Sequence, residues 1–385
     1  MDRRLFLAAA LAGLAAPALA PIRANAQRPP SRTRWKVRAS EGFDALAFLG
    51  PLAGGELYLR YYQADADAFA PRLPAAVRAD IAALWQEAET ADFGLMGPVL
   101  SVLYSGGDDS SLASLIAASA DPETLLLPAY RASNNWDEKD WRWFLSAAPR
   151  LKAVFEAMAD AGFAAFRAER TAGLDARIAE LGRDLAAYDV ISLHEKLTGR
   201  SFDPQIEVVL LQFCKPHGIK VQGQTFLQAA DWNTAITVRN AAHEMLHPPV
   251  PMDGAAAKAA LALLEKDELV MHIVREHDPK WGYTTLDGLL NEDLAQALDQ
   301  LIGEALGVGR NPADRWRQSD DGIHVLAGAF YGMLRDDKWI ETGGSIENWL
   351  ARAVDSGRLA PARLHAIAAR VLERPADRLW PLIAP

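Results

Sequence analysis

The pentapeptide His243-Glu244-Met245-Leu246-His247 constrains this chain more than any other feature, because its side chains converge only if the backbone there is helical. On an α-helix, residues four apart stack on one face, so both imidazoles reach one point while Glu244 projects to the side. Two imidazoles so placed suit a zinc ion at about 2.0–2.1 Å. A neighbouring carboxylate that does not ligate can take a proton from water made acidic by the ion. The pattern therefore predicts a helix and points to metal-assisted hydrolysis.

The flanking residues fit that placement. The run from Ile206 to Cys214 is rich in β-branched and aliphatic residues and reads as a buried strand. Pro216, His217 and Gly218 supply a turn, and Ile219 to Leu227 reads as a second strand, the two forming a hairpin. Asp231 or Asn233 then offers an N-cap for a helix through Ala235, Val238, Ala242 and Leu246. Pro248 and Pro249 push the residue before them out of the helical region, so His247 is expected at or beyond the last helical turn.

A catalytic zinc takes three protein ligands and keeps one open position. Residues 288–298 read as an amphipathic helix holding Glu292, which lies 45 residues beyond His247. The pair of HEMLH and a later helix carrying Asn291-Glu292 resembles the gluzincins, the thermolysin-like branch of zinc metallopeptidases. That resemblance implies His243, His247 and Glu292 as ligands of Zn2+, Glu244 as the catalytic base, and a peptide or protein substrate. It also implies an oxyanion-stabilising role for His324, with Tyr331 and Tyr283 as alternatives. The chain departs from better-known members in a longer gap between the two motifs. It departs again in Gln296, which stands where thermolysin-like enzymes carry an aspartate that orients a ligand; Asp299 is a candidate substitute. Glu265, Glu268, His272, Glu276 and His277 compete for the third ligand position, but they fall on an expected helix from Leu261 to His277 and read as its solvated face.

The N-terminus predicts export. Arg3-Arg4-Leu5-Phe6-Leu7, an Ala/Leu-rich stretch and Ala24-Asn25-Ala26 make residues 1–26 a signal peptide, either of the twin-arginine kind it resembles or an ordinary secretory leader. The mature chain is then expected to be periplasmic or secreted. Removing the leader takes the formal charge from −10 to −12, because Arg3, Arg4 and Arg23 outnumber Asp2 by two, and so negative a chain is a poor partner for nucleic acid. The leader is too short for a comfortable membrane span, so no stable membrane insertion is expected. The single Cys214 excludes an internal disulfide and reads as a small buried hydrophobe.

With 50% hydrophobic and 23% charged residues, the chain has the composition of a folded domain. The expected fold class is α+β: a mainly helical, zincin-like fold with a small sheet beside the motif helix and a helical C-terminal lobe. Residues 27–200 are read as a mainly helical N-terminal region and 201–385 as the zincin-like catalytic region, with the active site between two lobes. Trp136, Trp141, Trp143 and Phe144 read as core rather than as a substrate groove. The alternative from another class is a catalytically inactive periplasmic binding or assembly protein that keeps the zincin-like scaffold.

Overall fold

The computed structural model describes residues 31–90 and 95–381; the leader and most of the Pro29–Ser31 linker lie outside the described residues. The fold is α+β and mainly helical, with one four-stranded mixed sheet. The chain forms two compact units and passes between them more than once. One unit comprises Trp35–Asp184 and Ile206–Trp232, and the other comprises Leu185–Gln205 and the chain from Asn233 onward.

The first unit holds the sheet, made of β1 (Arg34–Ala39), β2 (Gln205–Leu211), β3 (Ile219–Lys220) and β4 (Thr225–Ala229) in the order β1-β2-β4-β3. The expected hairpin is corrected here. β2 runs parallel to β4, from Glu207 opposite Thr225 to Leu211 opposite Ala229, and only the two-residue β3 is antiparallel to β4. Gly223 is the physical cause: its φ of +65° breaks the stretch read as one strand into a tight turn, closed by the Val221 amide on the Thr225 carbonyl. Parallel neighbours need a crossover of about a dozen residues, which the chain from Gln212 to Gln224 supplies. Central parallel strands are covered on both faces, which accounts for the unbroken apolar run in β2.

Beyond the end of β2, Phe213 stacks on Phe48 at 4.2 Å and packs with Phe163 and Phe166. Asp44, fully buried, holds this end of the strand: its carboxylate accepts from the Gln212 amide at 2.6 Å, the Phe213 amide at 3.1 Å and Arg167 Nε at 2.6 Å. Of the four aromatic residues expected in the core, Trp141 and Phe144 are buried against Tyr130 and Tyr104, whereas Trp136 and Trp143 are half-buried. Cys214 is buried, its thiol against the His217 carbonyl.

The second unit is built on the helix Leu286–Ala305, buried along its whole circumference from Gly288 to Gly303. It packs against the helices Thr234–Glu244 and Val325–Asp336. A helix buried all round is ordinarily apolar, yet this one carries Asn291, Glu292, Asp293, Gln296, Asp299 and Gln300 inside, so every one of those groups needs a partner. The single helix expected from Leu261 to His277 is instead two, Ala255–Leu264 and Glu268–Glu276. The first ends at its C-cap Glu265, and Asp267 caps the second, its carboxylate accepting from the Leu269 and Val270 amides. Among the described residues no helix is long and apolar enough to cross a membrane.

Candidate metal centre

Asn233 starts the motif helix, its side chain accepting from the Ile236 amide at 3.0 Å. The helix buries Val238, Ala241, Ala242, His243 and Glu244 and ends at Glu244. The turn nevertheless continues. Met245 donates to Ala241 and Leu246 to His243, so the chain tightens by one residue and leaves His247 just past the helix, where the two prolines require it.

The geometry of the three expected ligands is compatible with one small ion. The His243 and His247 Nε2 atoms are 3.0 Å apart, Glu292 Oε1 lies 3.4 Å from His243 Nε2, and Glu292 Oε2 lies 3.5 Å from His247 Nε2. Ligands about 2.0–2.1 Å from a tetrahedral ion sit about 3.4 Å from one another. Glu292 Oε2 is buried and accepts no hydrogen bond, which is the condition of an atom awaiting a cation. Among the described residues these three make up a group able to hold a metal ion. All three belong to the second unit, as does every group that supports them, so the ligand set is complete without a residue from the other unit.

Support comes from the buried helix. Asp299 Oδ2 lies 2.8 Å from His243 Nδ1, which makes Nδ1 the donor and turns Nε2 toward Glu292. Burial pushes the Asp299 carboxyl up, but the two-pronged Arg315 guanidinium and His243 outweigh it and hold the group well below the usual carboxylate range. Asp299, not Gln296, is thus the group bonded to the His243 imidazole. Gln296 does something else: its Nε2 donates to Glu292 Oε1 at 2.9 Å while its Oε1 accepts from Trp316 Nε1 at 2.8 Å. Burial opposes charge on His243, yet Glu292, Asp299 and Glu244 together raise its pKa to about 9. This is a pocket whose field favours positive charge. Burial likewise raises Glu292, and His243 and His247 more than reverse it.

Glu244, next to His243 in sequence, is buried, and its charge contributes to raising the pKa of both His243 and Tyr283. The expected role of His324 is corrected. It is fully buried, with Nδ1 2.6 Å from Asp293 Oδ1 and Nε2 2.9 Å from Asp320 Oδ2. Burial works against its charge, but the two carboxylates raise its pKa to about 10, so both N–H groups are committed and none remains for an oxyanion. Tyr331 is corrected too. Its hydroxyl donates to Glu304 Oε1 at 2.6 Å. Glu304 lies three turns beyond Glu292, about 18 Å along the helix. Tyr283 is the buried tyrosine that feels these charges: burial first, then Glu292, Asp320, Asp293 and Glu244, raise its phenol well above normal. Its ring meets His324 edge-on at 5.5 Å. Sequence reasoning ranked it low because a lone tyrosine carries no positional signal; its φ of +56° is visible only in three dimensions.

Of the competing groups, Glu265, Glu268, His272 and Glu276 are exposed, as a solvated face should be. His277 is buried instead, bonded to the Ile273 and Gly282 carbonyls at 2.7 and 2.5 Å.

No family model matches the chain, and comparison with curated proteins and with solved structures likewise returned no match. What can be argued about function therefore rests on the centre itself.

Proposed function

We propose that the protein is an exported zinc-dependent metallopeptidase that hydrolyses peptide bonds. The observation that carries this reading is the mutual spacing of His243, His247 and Glu292, with Glu244 beside them in a buried site. The donor set favours zinc: two imidazoles and one carboxylate with a fourth position left open is a catalytic rather than a structural set. When bound, the ion supplies Lewis acidity, polarising the scissile carbonyl and making water a nucleophile at neutral pH. Glu244 takes the proton released by the attacking water and returns it to the leaving amine. Tyr283 offers its hydroxyl to the oxygen on which charge develops. His324 is bonded to Asp293 and Asp320. The leader supports a periplasmic or secreted location.

Elemental analysis of the purified mature protein tests the centre. About one zinc per chain is expected, lost in His243→Ala and in Glu292→Ala; metal-free protein after zinc-replete purification would refute the reading. Glu244→Gln should keep its zinc and lose hydrolysis by about 10²–10⁴-fold, and full activity in that variant would overturn the assignment of the base.

A second reading is favoured by one observation: His243, Glu244 and Glu292 are 9%, 5% and 1% exposed, a site closed to large substrates as it stands. A binding or assembly protein that keeps the centre without turnover fits that closure. Full zinc occupancy with no cleavage of broad peptide libraries would select it.

A further inference from the structure

In the second unit an open cavity of about 660 Å3 lies among the helices Trp339–Thr342, Ile346–Asp355 and the start of Pro361–Leu372. Its size is that of small-molecule sites. Its wall is built in a fixed order. Trp349, 1% exposed, donates Nε1 to Asp337 Oδ2 at 2.7 Å. The same oxygen accepts from Arg358 Nη1 at 2.6 Å, and the Arg358 guanidinium lies 5.4 Å from the Trp349 ring centroid. The one acid lining the cavity is thereby committed to one arginine, whose guanidinium carbon lies within cation–π distance of an indole.

Two more arginines line the same space. Arg352 and Arg363 are exposed, and among the described residues neither makes an ion pair; Arg363 spends one N–H on the Ser356 carbonyl at 3.0 Å. Three guanidinium groups against one carboxylate leave a local excess of positive charge in a chain whose formal charge is −10. Guanidinium forks match planar carboxylates and phosphates with paired hydrogen bonds, and a preformed concave wall lowers the cost of ordering them.

We propose that this cavity is a binding site for a small anion or an acidic chain end, with Arg352 and Arg363 grasping a carboxylate or phosphate group and Arg358 with Trp349 forming the fixed wall. The site is separate from the metal centre and stands whether or not that centre is catalytic.

Isothermal titration of the full-length mature protein at constant ionic strength, with inorganic phosphate and with succinate, tests the proposal. Each titration is repeated on His243→Ala, so that an anion captured at the metal centre is not counted. Saturable binding is expected that survives His243→Ala and weakens about tenfold for each guanidinium removed in R352A and R363A. Binding of succinate alone identifies a carboxylate ligand, of phosphate alone a phosphoryl one, and either supports the site. No saturation with either anion, or undiminished affinity in the R352A/R363A double variant with an unchanged circular dichroism spectrum, overturns it. Both arginines are exposed, so the double variant is expected to fold.

Discussion

Asp299 faces two positive groups at once, His243 on one oxygen and Arg315 across both, and the asymmetry between those partners decides what its loss would do. Asp299→Asn keeps the size and can still accept from His243 Nδ1, but it removes the charge that makes His243 a good ligand. Zinc affinity should fall about 10–100-fold, measured by chelator competition. The same change takes the counter-charge from the buried Arg315 guanidinium, which keeps the Gln300 side-chain oxygen as an acceptor at 3.1 Å, so a stability loss on the order of 3 kcal/mol at most should accompany it in urea unfolding. His217 makes a contrasting case in the first unit. Burial lowers its pKa from 6.5 to about 4; Tyr58 Oη lies 3.0 Å from Nε2, and Nδ1 has no hydrogen-bond partner. The unfolded imidazole is protonated near pH 6.5 and the folded one only near 4, so its contribution to stability is complete above pH 6.5 and lost as pH falls towards 4. At about 1.4 kcal/mol per pH unit, roughly 3 kcal/mol is at stake. Urea midpoints at pH 7, 5.5 and 4.5 should fall in step, and His217→Gln should flatten that slope; an unchanged slope in the variant would assign the acid sensitivity elsewhere.

Two short segments beside the centre carry backbone conformations that side chains rarely adopt. Tyr283 has φ +56° after Gly282 at +77°, and Asp320 and Asp321 have φ +47° and +55°. Each such non-glycine residue costs on the order of 1–3 kcal/mol and persists only where its surroundings impose it. Here the Trp281 indole donates to Asp321 Oδ2 at 2.9 Å, tying the two segments together two residues before Tyr283. Trp281→Phe keeps the ring and removes the N–H. The amides of residues 278–285 should then exchange faster, while those at the centre of the Leu286–Ala305 helix should not change. What the sequence made legible divides along the same line of local against distant causes. The motif helix, a cap at one of the two candidates Asp231 and Asn233, and the helix end before the prolines follow from local spacing, whereas Glu292 and Asp299 are singled out only by the resemblance to gluzincins. The parallel pairing of β2 and β4 was hidden because one glycine at φ +65° converts a continuous-looking strand into a turn. His324 was misjudged because its role depends on Asp293 and Asp320, and only the fold brings Asp293, 31 residues away in sequence, onto its ring.

The chain alternates between its two units, yet every residue of the candidate metal centre lies within one. The motif helix, the helix Leu286–Ala305, Tyr283 and the His324 triad all lie beyond Asn233. An ion that binds only the folded site stabilises whatever unfolds together with that site, by about 2.7 kcal/mol at a hundredfold excess over its dissociation constant. Hydrogen exchange reads where that stabilisation goes. On adding zinc to the metal-free protein, amides of Thr234–Glu244 and Leu286–Ala305 should slow by about the hundredfold that this free energy implies. Amides of β2 and β4 belong to the other unit and should slow only if the two units open as one. Equal slowing throughout would show that the chain, for all its crossing between units, unfolds in a single step. Slowing confined to the second unit would show that the sheet can open while the metal centre stays intact, and acid sensitivity through His217 would then act on the sheet unit alone.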